Sequence, residues 1–191
     1  VTVLLTFINA IVQPFWTVYG KEVIGLSAYS WGSILLIAGL TKTLFSMGVG
    51  NLVDRWGPKR CMLIGFGIAV PSIGAFILSQ NFMQTAAVYI VLVLSNAFIW
   101  ISTNVLLADA IPRSTRGRVM ATLGQGIGVG VGGGGYARGF LLFMPATLGS
   151  IMGGYIYEFS PSLPWMIQAT ILTLSMILAL LLVREPERAE V

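Results

Sequence analysis

Apolar residues run along this chain in six long blocks separated by short polar stretches. They do not alternate with polar residues, as they would along a half-buried strand. The blocks span approximately Val1–Tyr19, Ser30–Val49, Cys61–Ser79, Thr85–Leu107, Gly139–Tyr157 and Pro164–Val183. As helices rising 1.5 Å per residue, segments of about 20 residues cross a hydrocarbon core of about 30 Å. In lipid only helices and closed barrels satisfy their own backbone, and unbroken apolar blocks select helices. The pattern predicts an all-α membrane protein with six transmembrane helices (residues 1–183) and a polar tail at 184–191.

The fifth block needs a choice. No clear break separates Val119 from Tyr157, yet one helix of that length would reach roughly 58 Å. The run Gly124–Arg138 is mostly glycine, and each glycine costs a helix about 1 kcal/mol relative to alanine. We place it as a flexible part of a long 108–138 loop, with the span starting near Gly139. The alternative is a span at Val119–Gly139 with Phe140–Tyr157 re-entrant. Gly128-Val-Gly-Val-Gly-Gly133 formally fits a dinucleotide fingerprint. It lacks the preceding strand and the acidic residue about 20 positions on, so it reads as a linker.

Composition fits a lipid solvent. Of 191 residues, 56% are hydrophobic and 9% charged, against about 25% charged in a soluble domain. The net charge is +4 and histidine is absent. Apart from Lys42, the cations sit between or beyond the blocks, so the bilayer surface, and not nucleic acid, is the expected partner. Arg55, Lys59, Arg60, Arg113, Arg116, Arg118, Arg138, Arg184 and Arg188 fall on one side, Lys21 alone on the other. That bias predicts cytoplasmic termini and a cytoplasmic 108–138 loop in a multi-pass protein of the cell membrane. Trp16, Tyr19, Tyr29 and Trp31, and later Tyr155, Tyr157, Phe159 and Trp165, flank outer turns as expected of interfacial belts. Cys61 stands alone, which excludes an internal disulfide. Val1 opens inside an apolar block with no basic leader and no initiator methionine, which reads as a fragment or a trimmed chain.

The most polar run between two blocks is Gly50-Asn-Leu-Val-Asp-Arg-Trp-Gly-Pro-Lys-Arg60. With Gly50 and Gly57 it predicts a tight hairpin loop at the headgroup level. It resembles the G-x-L-x-D-R-x-G-R-[RK]-[RK] loop of the major facilitator superfamily, matching at Gly50, Leu52, Asp54, Arg55, Gly57, Lys59 and Arg60. Pro58 departs from it. A second stretch, with Asp109, Pro112, Arg116, Gly117 and Arg118, resembles the P-x-x-x-R-G-R segment that follows the fourth helix of a half. The resemblance implies one six-helix half, built of two inverted three-helix repeats. It also implies a gating role for Asp54 against the other half. The ending Arg184–Val191 favours the C-terminal half.

Polar groups inside a bilayer are costly and tend to face protein or a water-filled cavity. Asn9, Gln13 and Trp16 share one face of the first span, and Asn96, Trp100 and Asn104 one face of the fourth. Amides beside indoles suit a small solute; they also serve as helix–helix glue. The resemblance favours the first role, because it places the first and fourth helices along the central pathway. Lys42 is the cation deepest in a span, a candidate charge on that pathway or a snorkelling side chain. Gly149 and Gly153 form a G-x-x-x-G face, and Pro14, Pro71 and Pro145 are candidate kinks. No span interior holds Asp or Glu, so no proton relay, catalytic pairing or cofactor site is expected. The expected function is half of a secondary transporter for a small solute, working by alternating access with the missing half or a second copy. The rival reading is a non-transporting six-helix subunit or assembly partner.

Overall fold

A computed structural model describes residues 2–111, 115, 117–118 and 140–183. Among these, the regular elements are helices: α1 Thr2–Val12, α2 Phe15–Glu22, α3 Ala28–Trp56, α4 Pro58–Ile77, α5 Phe82–Ala110, α6 Phe140–Phe159 and α7 Leu163–Leu182. Thr2–Glu22, α3, α4, α5 and α7 are long and apolar enough to cross a membrane. α6 adds another helix of 20 residues.

α1 and α2 form one bent span. Pro14 keeps helical angles, φ −64° and ψ −26°, but has no N–H for the carbonyl four residues back, that of Ala10. The hydroxyl of Ser150 on α6 donates to that carbonyl at 3.4 Å.

α3 and α5 have 29 residues each, or about 44 Å of helix. They run past the apolar blocks that announced them. The expected loop at Gly50–Arg60 is therefore corrected: α3 continues to Trp56, and Gly57 alone separates it from α4. The apolar face persists beneath the polar residues. Val49 and Val53, four apart, are buried against Cys61 of α4 and Phe98 of α5, which holds the helix together through Asp54 and Arg55. It ends where Gly57 takes φ +89°, a conformation other residues avoid, and Pro58 starts α4 at a position that needs no N–H.

Cross-contacts give the direction of each helix. α1 and α6 are parallel. A side chain on Gly149 would meet the Phe7 carbonyl at 2.6 Å, and one on Gly153 the Ile11 carbonyl at 2.5 Å. Phe15 stacks on Tyr157 with centroids 4.6 Å apart. α3 and α5 are parallel too, through Trp31–Tyr89 and Phe45–Phe98. α4 is antiparallel to α5, with Thr103 on Met62 at one end and Thr85 on Ser79 at the other. It is also antiparallel to α7, through Lys59–Leu180 and Phe76–Trp165.

These contacts have a symmetry. Exchange α1/α2 with α5, α3 with α6, and α4 with α7. The α1–α6 packing then maps onto α5–α3, α4–α5 onto α7–α1, and α4–α7 onto itself. Trp16 meeting Tyr89 and Asn9 lying near Asn96 make α1/α2 antiparallel to α5. The bundle is thus two three-helix units, the second inverted. Its core lies between α1, α4, α5 and α7, around Ile8, Ile11, Phe66, Ile73, Phe76, Ile99 and Trp165. α3 and α6 flank it and leave Leu36, Leu40, Leu44, Met47, Leu148 and Ile151 exposed.

The aromatic belt is also corrected. Tyr29, Tyr155 and Phe159 are exposed, but Tyr19, Trp31 and Trp165 are buried. Trp16 meets Phe76, Tyr89 and Trp165 edge-on, with centroids 4.7, 5.2 and 5.6 Å apart. These rings fill the bundle end away from Gly57, because apolar partners on four helices converge there.

Candidate solute-binding cavity and the Gly57 turn

A cavity of about 100 Å³ opens between α1/α2, α4, α5 and α7. The bent first span supplies Leu5, Asn9 and Trp16, and α4 supplies Ala69 and Ile73. From α5 come Tyr89, Leu92, Val93, Ser95, Asn96, Ile99 and Trp100, and from α7 Gln168 and Leu172. Asn9 donates Nδ2 to the Leu5 carbonyl at 2.7 Å, so its amide is anchored along α1. Ser95 donates to the Leu92 carbonyl at 2.8 Å. Among the described residues, no charged side chain lines the wall.

Four of the residues expected on the pathway, Asn9, Trp16, Asn96 and Trp100, come together here. Three do not line the wall. Gln13 sits at the helix break, its backbone N–H donating to Asn9 at 2.9 Å. Asn104 continues the Asn96–Trp100 face of α5 one turn on, with a buried Oδ1 that finds no partner among the described residues. Lys42 is exposed, although it lies four residues from buried Ala38 and seven from buried Val49 on one face of α3.

Tyr89, Ser95 and Gln168 were missed by the sequence reading. Gln168 carried the same signal that marked Asn9 and Asn96, an amide inside an apolar block. Tyr89 is seven residues before Asn96 and therefore on its face.

The motif residues group at the Gly57 turn. Gly50 and Leu52 are half-buried on α3; Asp54, Arg55 and Arg60 are exposed. Lys59 reaches α7, donating Nζ to the Leu180 carbonyl at 3.0 Å. That carbonyl lies in the last turn of α7, where helices lack intrahelical donors and favour cations. In the second motif Asp109 is exposed on the last turn of α5, and Gly117 and Arg118 are exposed. Pro112 and Arg116 lie outside the described residues, as does the 119–139 stretch whose placement the sequence left in two versions.

The sequence profile of the Major Facilitator Superfamily matches residues 1–145. The chain belongs to the major facilitator superfamily. It is accordingly an integral, multi-pass membrane protein of a transporter family, and not an enzyme. It is 31% identical over 185 residues to the Multidrug resistance protein MdtG of Enterobacter lignolyticus, covering 92% of this chain and 40% of that protein. It is 34% identical over 84 residues to the Lincomycin resistance protein LmrB of Listeria innocua, covering 44% of this chain and 17% of that protein. The corresponding protein of Listeria monocytogenes is 33% identical over 84 residues. This facilitator chain thus spans less than half the length of the curated relatives it matches.

Proposed function

We propose that this chain is one six-helix half of a transporter that moves a small organic solute across the cell membrane by alternating access. The observation that carries the reading is the cavity. It gathers an asparagine and a tryptophan from each of the two helices that the internal symmetry exchanges, Asn9 with Trp16 and Asn96 with Trp100. Each pair offers hydrogen bonds and a π face. The volume of about 100 Å³ is well below the roughly 300–1,000 Å³ of pockets that enclose drug-sized ligands. The half therefore forms one wall, and the second comes from the missing half or a second copy. The names of the relatives support an antibiotic-like solute. The positive-inside bias supports a cytoplasmic Gly57 turn, where Asp54 gates against the opposing half.

The test is lincomycin accumulation in a drug-sensitive bacterium expressing the complete transporter. Cells should accumulate several-fold less drug than controls, and Trp100→Ala should abolish the difference. Equal accumulation with and without the transporter, for lincomycin and a panel of other antibiotics, would sink the reading.

A further inference from the structure

We infer that Gln168 contacts the solute and selects for an uncharged hydrogen-bonding group, an amide, carbonyl or hydroxyl. The inference rests on the cavity being a solute site. Gln168 is 7% exposed, and its Oε1 is buried with no partner among the described residues. Trp31, Ser102, Asn104, Trp165 and Ser175 also bury a polar atom without a partner, but among these residues only Gln168 lies on the cavity wall.

A glutamine used as helix glue would bond across to a neighbouring helix; this one does not. The other amide on the wall with an assigned bond, Asn9, is tied to its own helix at Leu5. Thr170 and Thr173, two and five residues after Gln168 on α7, are likewise satisfied by the Met166 and Ala169 carbonyls. Gln168 therefore holds hydrogen-bonding capacity in reserve at a buried site, where leaving it unused is unfavourable. Its terminal torsion is two-fold, so the amide presents either its oxygen or its N–H₂ to an occupant. With no charge on the wall, a neutral polar group is the matching occupant. A charge placed there would lose its hydration without a counter-charge.

The test compares two probes by quenching of tryptophan fluorescence in the purified, complete transporter. Lincomycin carries an amide and hydroxyls; diphenylhexatriene is an uncharged hydrocarbon with no hydrogen-bonding group. Gln168→Met preserves length and removes the amide. It should weaken lincomycin binding about tenfold, or about 1.4 kcal/mol. It should leave diphenylhexatriene within about twofold and not lower the melting temperature. Unchanged lincomycin affinity overturns the inference. Equal weakening of both probes with a lower melting temperature makes Gln168 a packing residue and overturns it too. If Trp100→Ala weakens lincomycin binding and Gln168→Met does not, only the role of Gln168 falls. If the wild type binds neither probe, the solute-site reading falls first and takes Gln168 with it.

Discussion

Ser150 on α6 gives its hydroxyl to the backbone of Ala10 on α1, with Oγ 3.4 Å from the carbonyl oxygen. Ala10 is the residue whose helical donor Pro14 removes. The break in the first span and the α1–α6 contact are thereby linked. Ser150→Ala should lower stability by about 0.5–1 kcal/mol, the lower range for one long hydrogen bond. In a Pro14→Ala background, where the N–H returns, the same substitution should cost little. A double-mutant cycle on detergent-solubilised protein measures that coupling.

Gly153 brings α6 against the backbone of α1. A Cβ there would lie 2.5 Å from the Ile11 carbonyl, whereas one at Gly154 would meet nothing within 4 Å. Gly153→Ala should separate the helices and destabilise by about 2 kcal/mol or more, in the range of overpacked cores. Gly154→Ala should be neutral or stabilising by up to about 1 kcal/mol. Thermal melting of the two variants side by side decides this.

Gly57 holds φ +89° and ψ 145°. Any other residue is strained there by about 1–3 kcal/mol, so Gly57→Ala should reduce the yield of folded protein. Gly50, helical in α3 with open space around it, should accept alanine without loss. Equal yields for both variants would contradict the single-residue turn.

Lys59 ties α4 to the end of α7 at 3.0 Å from the Leu180 carbonyl. Lys59→Met should cost about 0.3–1 kcal/mol, the range for a partly exposed cation at a helix C-terminus, and the loss should shrink in high salt. Melting at low and high ionic strength reads it.

Asp54 is exposed on α3 and does not line the cavity. If it gates, Asp54→Asn should cut transport turnover at least tenfold while leaving lincomycin affinity within about twofold. Single-turnover binding and vesicle uptake separate the two quantities. Loss of binding instead of turnover would remove the gating role.

The spans were legible because unbroken apolar blocks have few other solutions in lipid. The cavity amides Asn9 and Asn96 were legible because polarity inside a span is costly and therefore informative. The Gly57 turn was misread because Asn51, Asp54 and Arg55 look like loop residues, while the buried contacts of Val49 and Val53 that keep the helix intact are tertiary. The inward aromatic cluster was hidden for the same reason. Trp16, Tyr19 and Trp165 suit a headgroup belt and a packed interior equally well, and only the convergence of four helices chooses. Gln168 was passed over although it obeyed the rule that flagged its neighbours.

Under the internal exchange of helices, the α3–α4 corner corresponds to the α6–α7 corner. Gly57 alone makes the first; Ser160, Pro161 and Ser162 make the second. The two corners sit at opposite ends of the bundle, and an exact repeat would make them alike. They are not: one is a single glycine at φ +89°, the other three residues closed by the Leu163 N–H on the Ser160 carbonyl at 3.1 Å. Alanine is strained at Gly57 and has no strained counterpart at Ser160, Pro161 or Ser162, so the two ends of this half answer differently to the same change.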